Sequence, residues 1–297
     1  MKRRALSVLS GLLIIFAGWF RCPSAIAQEV VAVLSSDSPP YEEALAGFQE
    51  TYGHSVPTFR LSNDEPRIPG SAKIIVTFGG KAAFYPYAQG TTLIYALAPG
   101  ILVTPEQHAG PLVKVRIMAS AESLISRLKE VQPNMKRLAV LWISPTFGGH
   151  LRELQEPAQA HGISLLSERM NAADELPSVL RALKGRADAF WMEPDPSLIT
   201  PGWFATAQEF ARSNNIPMYV PVDSLVDKGA SAAVSCSYRE NGRTTGRLAV
   251  QAVAGQLKDG EVRSIENCSL SLNLTAAAQS GLTISADVIK KADRVLP

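Results

Sequence analysis

The chain has 297 residues, 46% of them hydrophobic and 19% charged, with 29 basic against 27 acidic side chains. That length supports two ordinary domains with full cores. A balance so near neutral implies neither nucleic acid nor an anionic membrane surface as a partner.

Residues 1–27 read MKRRALSVLSGLLIIFAGWFRCPSAIA. Lys2, Arg3 and Arg4 precede an apolar stretch from Leu9 to Phe20, and Ala25-Ile26-Ala27 supplies the small-x-small pattern of a signal peptidase site. The apolar stretch is too short to span a bilayer. A secretory signal peptide cut near Ala27 is expected, with the mature protein in the periplasm. Without Lys2, Arg3, Arg4 and Arg21, the 29 basic residues become 25 against 27 acidic, so the excess of base belongs to the leader.

Val30–Leu34 is a continuous apolar run, as in a strand buried on both faces. Ser35-Ser36-Asp37-Ser38 follows, then Pro39-Pro40 and an amphipathic stretch containing Tyr41. Ser38 suits a helix N-cap with the prolines in the first turn. One cap leaves Ser35, Ser36 and Asp37 unexplained. Beside unpaired N–H groups at a helix start, such a cluster suits the polar head of a ligand. Ile74–Phe78 and Thr92–Leu97 repeat the strand pattern, and Gly79-Gly80 after Phe78 lets a backbone approach something closely. Ser120 then caps a helix with Leu124, Leu128 and Val131 on one face, which Pro133 should end.

A second half repeats the rhythm from Lys136 to about Ser235. Leu138–Ile143 runs into Ser144-Pro145-Thr146-Phe147 and two glycines. Leu176, Val179, Leu180 and Leu183 make an unbroken helical stripe. Ala187–Met192 ends in Glu193-Pro194-Asp195, and Pro217–Val220 in Pro221-Val222-Asp223. Gly53, Gly162 and Gly185 stand where helices should stop. Strand and helix in alternation predict an α/β protein of two Rossmann-like three-layer lobes with parallel sheets. Ligands of such sheets sit beyond the carboxyl ends of the strands, and the space between lobes is a favoured pocket. The candidate ligand-binding residues are therefore Ser35, Ser36, Asp37, Tyr41, Phe78, Gly79, Gly80, Ser144, Thr146, Phe147, Glu193, Asp195 and Asp223. The carboxylates suit an ammonium or sugar hydroxyls, and the aromatics an apolar body.

Nothing in the chain spells a nucleophile elbow, a zinc motif, a phosphate loop or a dinucleotide fingerprint, so neither an enzyme nor a cofactor is expected. The histidines 54, 108, 150 and 161 share no metal-ligand spacing. His150, after two glycines, is the one placed to face a cleft. Cys236 and Cys268 lie beyond the leader. An oxidising compartment permits a bridge, but two buried free thiols are the plainer expectation. Asn267-Cys-Ser and Asn273-Leu-Thr match the glycosylation pattern and are read as chance matches.

The stretches KRLAVLWISPTFGGHLRELQEPAQAHGISLL and RADAFWMEPDPSLITPGWFATAQEFARSNNIPMYVPVDSLVDKGASAAVS resemble the second lobe of ABC transporter substrate-binding proteins with the type I periplasmic-binding fold. Tyr238-Arg239-Glu240-Asn241-Gly242-Arg243 is similar to the family's next helix, and SLNLTAAAQSGLTISADVIKKADRVL to its ending. LSSDSPPYEEALAGF is similar to the first-lobe opening of one branch. The resemblance implies a monomer whose cleft closes on a small polar organic molecule, an amino acid or similar, and presents it to an ABC permease in the inner membrane. It also implies several passages between lobes: 28–134 with about 237–262 would form the first, and 135–236 with about 263–297 the second. The hinge would then lie near Gln132–Lys136, Ser235–Tyr238 and Arg263–Cys268. Ala98-Pro99 and the proline-rich stretch 193–196 depart from the amino-acid binders. The alternatives are a sensor that signals to a membrane partner and, from another class, a secreted hydrolase with shifted titrating groups in its cleft.

Overall fold

The computed structural model describes residues 29–62, 67–195, 198 and 200–297, with the Thr146 side chain left aside. The expected signal peptide lies outside these residues. Among them no helix is long and apolar enough to cross a membrane.

The chain opens with β1 (Val30–Leu34), α1 (Pro39–Tyr52), β2 (Thr58–Arg60), β3 (Ile74–Phe78), α2 (Gly80–Ala83), β4 (Thr92–Ala96) and β5 (Leu112–Ala119). Then come α3 (Ala121–Val131), β6 (Arg137–Trp142), α4 (Gly148–Ala160), β7 (Ser164–Arg169), α5 (Leu176–Leu183) and β8 (Ala189–Met192). They are followed by α6 (Pro201–Asn214), β9 (Met218–Val220), α7 (Asp223–Val226), β10 (Ala232–Ser235), α8 (Tyr238–Val253) and β11 (Glu261–Ile265). The chain closes with β12 (Ser269–Asn273), α9 (Leu274–Gln279), α10 (Ala286–Lys291) and β13 (Arg294–Leu296).

Two sheets result, as the alternation requires. The first runs β11-β5-β4-β3-β1-β2, and every pair in it is parallel. The second runs β13-β12-β10-β9-β8-β6-β7, parallel except for the antiparallel β10–β12 pair. Alternate residues of β1 face opposite layers: Val30, Ala32 and Leu34 meet α1 and α8, while Val31 and Val33 join Ile75 and Tyr95 on the other face. A strand covered on both sides has no polar position, which is why it reads as an unbroken apolar run.

Helix α8 comes from the far end of the chain to pack on α1. Gly242 and Gly246 face Ala44 and Phe48, where an added Cβ would overlap the Ala44 carbonyl oxygen or stand 2.8 Å from that of Phe48. Ser237 caps α8 by accepting the Glu240 N–H at 3.1 Å, and Glu50 pairs with both Arg239 and Arg243 at the rim.

Two expectations change here. The first passage between sheets is expected at Gln132–Lys136, but α3 already packs with the second sheet: Leu124, Ile125, Leu128 and Val131 share a cluster with Leu138, Val140 and Trp191. The crossing is therefore at Ser120, ahead of α3 rather than after it. Its N–H donates to the Ile265 carbonyl at 2.9 Å and its hydroxyl to Glu266 at 2.8 Å, which ties it to the β11–β12 crossing. The second correction concerns the cysteines. Cys236 and Cys268 are joined as a disulfide, with Cα atoms 4.4 Å apart, rather than standing as free thiols. The antiparallel β10–β12 pair sets the ends of these two crossings side by side, within the reach a disulfide needs.

Candidate functional site

A pocket of about 110 Å³ opens between the two sheets, lined by Ala98–Gly100 and Lys114–Met118 from one side and by Phe147, His150 and Pro194 from the other. Each stretch is set by its element. Residues 98–100 enter because the chain turns at Leu97, a buried residue held at φ +51, in the left-handed region that costs a non-glycine residue about 1–2 kcal/mol. Lys114 and Arg116 alternate with buried Val113 and Val115 on β5, so the two cations share one face of the strand, and both line the pocket. Phe147 ends the short turn Pro145–Phe147, and His150 lies in the first turn of α4, 2% exposed.

The polar groups beside the pocket form one network. Arg116 Nη2 lies 2.6 Å from Glu153 Oε2, an ion pair that joins β5 of the first sheet to α4 of the second. His150 Nδ1 is 3.7 Å from the same oxygen, and its Nε2 is 3.8 Å from Glu193 Oε1. Glu193 is completely buried, and neither of its oxygens nor His150 Nδ1 has a hydrogen-bond partner among the described residues. Burial pushes the Glu193 carboxyl up to about 8, with Asp195 adding to the effect and the Trp191 indole and Arg116 opposing it. Burial, helped by Arg116, pushes His150 down to about 4 against the pull of Glu153. At neutral pH the pair thus holds a carboxylic acid and a neutral imidazole. Lys114 is also lowered, by burial and then by Arg116, while its Nζ donates to the Ile101 carbonyl at 2.7 Å.

These shifts set a pH dependence of stability. Between the usual glutamate value of 4.5 and about 8, the folded protein keeps a proton on Glu193 that the unfolded chain has lost. Stability therefore falls as pH rises through that window, by up to about 1.4 kcal/mol per pH unit. His150 acts on the acid side: its contribution is lost as pH falls from 6.5 towards about 4. We expect Glu193→Gln to unfold at a higher temperature than the wild type by a margin that grows from pH 5 to pH 8. An offset that stays constant across that range in calorimetric scans would show that Glu193 is ionised throughout.

The sequence candidates fall into separate places. Phe147 lines the pocket, and Glu193 and Asp195 flank Pro194 at its edge. Asp195 Oδ2 accepts the Ser144 N–H at 2.7 Å and the Ile143 N–H at 3.3 Å, so Asp195 and Ser144 fasten the end of β6 to that of β8. A second group sits beyond β1 and β3. Ser35 Oγ accepts the Ala82 N–H at 2.9 Å, and Gly79, at φ +99, lies where a Cβ would stand 2.5 Å from Ser35 Oγ and 2.6 Å from the Tyr41 hydroxyl. Asp37 is exposed and pairs with Arg60 at 3.2 Å, while Ser36 is half-buried beside it. Gly80 touches Ile101, whose carbonyl holds Lys114, and so links this group to the pocket. Phe78 is fully buried, edge-on to Phe48 with ring centres 6.4 Å apart, and is a core residue rather than a pocket wall. Asp223 accepts the Ser271 hydroxyl at 2.9 Å, bracing α7 against β12, and is not among the residues lining the pocket. The Thr146 side chain lies outside the described residues. Among those residues no group of three histidine, cysteine or carboxylate side chains is placed to hold a metal.

Lys114 and Arg116 lie on a strand that no continuous apolar run marks. LVKVRIMA alternates, and the period of two with charges inside was the signal. His150 stood out from its glycines alone.

The family profile described as ABC transporter substrate binding protein matches residues 105–296. No curated protein matches the sequence. Among solved structures, similarity extends to a ligand-free, open substrate-binding protein with adhesive properties from Clostridium difficile, 16% identical, with 90% of this chain and 98% of that one covered at a TM-score of 0.63. A complex of an ABC domain with L-Trp from Streptococcus pneumonia is 18% identical, with 90% and 99% covered at a TM-score of 0.55. A conserved domain protein from Vibrio cholerae is 16% identical, with 90% and 98% covered at the same TM-score of 0.55.

Proposed function

The chain belongs to the ABC transporter substrate-binding protein family, with the type I periplasmic-binding fold, and on that premise we propose that it is a periplasmic solute receptor. It takes a small organic molecule between its two lobes and delivers it to an ABC permease in the inner membrane. The observation that carries this reading is the pocket between the sheets, which has walls from both. A ligand there touches both lobes at once and favours the closed arrangement through that double contact. The three crossings, at Ser120, at Cys236–Ser237 and at Glu266–Cys268, supply the hinge. Residues 1–27 act as the leader, cut near Ala27. The Streptococcus relative is a complex with L-Trp, so an amino acid or a molecule of similar size is within the range of this fold.

The hydrolase alternative expects shifted titrating groups in the cleft, and His150 with Glu193 meets that expectation. Catalysis asks more of them. A histidine lowered to about 4 is a weak base at neutral pH, and the ion-pair partners of its ring nitrogens among the described residues are carboxylates, at 3.7 and 3.8 Å. Binding without turnover is the better account.

Native mass spectrometry of the protein recovered after export tests both parts. We expect a mature chain beginning near Gln28 with one small molecule carried in the cleft, released unchanged. Small-angle scattering with that molecule restored should show a smaller radius of gyration than the stripped protein. An unchanged radius at saturation argues for a rigid protein, and a chemically altered ligand for an enzyme.

A further inference from the structure

We infer that the cleft selects an organic anion, a small carboxylate with a compact apolar body and no ammonium group. The inference deepens the receptor reading and rests on it. Three observations carry it: the charge on the walls, the state of the neighbouring acids, and the shape of the remainder.

Lys114 and Arg116 stand two positions apart on β5 and both line the pocket. Among the described residues their carboxylate partner across the cleft is Glu153, 47% exposed and already paired with Arg116 at 2.6 Å. Lys114 is met by a neutral carbonyl, that of Ile101. Two like charges in a half-buried wall repel, and an anion between them removes that repulsion and gains two charge-assisted bonds. Arg116 Nε has no hydrogen-bond partner among the described residues, so a donor beside the pocket stands unused.

Among the described residues an ammonium finds no unengaged ionised carboxylate here. Glu153 is engaged, and Glu193 sits fully buried against His150 in its neutral form. Asp195, 1% exposed, accepts backbone N–H groups at the end of β6. A zwitterion would bring its positive end against Lys114 and Arg116, which a low-dielectric cleft makes costly. The rest of the wall is apolar: Ala98, Pro99, Ile117, Met118, Phe147 and Pro194. At about 110 Å³ the pocket approaches the ~150 Å³ of a cavity that holds one benzene ring.

Calorimetric titration with a matched set decides the matter: phenylacetate, phenylglycine, benzylamine and benzyl alcohol share one ring and differ in charge, and pentanoate against norvaline repeats the contrast without a ring. We expect phenylacetate to bind at least about tenfold more tightly than its three analogues, and pentanoate more tightly than norvaline. Arg116→Gln should weaken phenylacetate about tenfold or more, and Arg116→Lys should keep part of the affinity. Glu153→Gln removes the competing carboxylate and should tighten phenylacetate several-fold, a gain that a misfolded variant cannot imitate. Equal or tighter binding of phenylglycine or benzylamine overturns the inference and leaves the receptor reading intact. So does the absence of any response to phenylacetate and pentanoate at millimolar concentration. The receptor reading fails separately, if the exported protein carries no small molecule and no probe of any charge shifts its unfolding temperature.

Discussion

Gly242→Ala will destabilise the protein by about 2–4 kcal/mol, the opposite sign from what helix propensity gives. In an isolated helix the change is worth a gain of about 1 kcal/mol. Within α8 the new methyl group would meet the Ala44 carbonyl oxygen, with the Ala44 carbon at 2.7 Å and the Phe48 nitrogen at 2.9 Å behind it. All three are backbone atoms of α1, so no rotamer can move them aside, and the two helices must separate. That opens the core they cover, in which Phe48, Leu248 and Ala249 are buried. Gly149→Ala is the control: it is also helical, but a Cβ there meets nothing within 4 Å, and a gain of up to about 1 kcal/mol is expected. Chemical denaturation of the two variants beside the wild type checks both signs. Equal effects at the two sites would mean that α1 and α8 are not in close contact.

Removing the disulfide is the second large effect. It closes a loop with a sequence separation of 32 residues, for which chain entropy alone predicts about 3–4 kcal/mol. We expect the Cys236→Ser, Cys268→Ser double variant to lose that much, and the wild type to fall to the same midpoint in strong reductant. Neither cysteine lines the pocket between the sheets, so on the proposed reading the double variant should still bind, with a wider range of motion between lobes. A wild type indifferent to reductant would show that the two thiols are not bridged in solution.

The parts of the fold visible in the sequence were those whose physics is local. Val30–Leu34 and Ile74–Phe78 are covered on both faces and announce it residue by residue. Ser120 declares a helix start through its own side chain, which accepts the Ser123 N–H. The crossing was misplaced because Pro133 does end a helix, yet nothing nearby in the chain says which sheet that helix covers. Leu124 and Leu128 are as apolar as either sheet requires. The disulfide escaped for a similar reason, since the pairing of β10 with β12 brings the cysteines together and neither strand records its partner. At the candidate site, the rule that strand ends carry function leads to Phe147 on the pocket wall and to Glu193 and Asp195 on either side of Pro194 at its edge. It overstated Phe78, whose ring turns inward, and it passed over Lys114 and Arg116, which project from the side of a strand rather than from its end.

The order of the first sheet, β11-β5-β4-β3-β1-β2, has a bearing on how the chain acquires its structure. The lobe that begins at Val30 lacks both α8 and β11 until residues 238–265 exist, although α1 needs α8 to cover Phe48. The run from α3 to β10 is unbroken, and it contributes five strands to one sheet without help from upstream. Contacts close in sequence form sooner than those that must close a long loop. A chain emerging from its amino terminus therefore consolidates its middle first, while the earlier-made strands wait with one face uncovered. That interval is when the apolar runs of β1, β3 and β4 are most open to pairing with another molecule, and it ends only when α8 arrives.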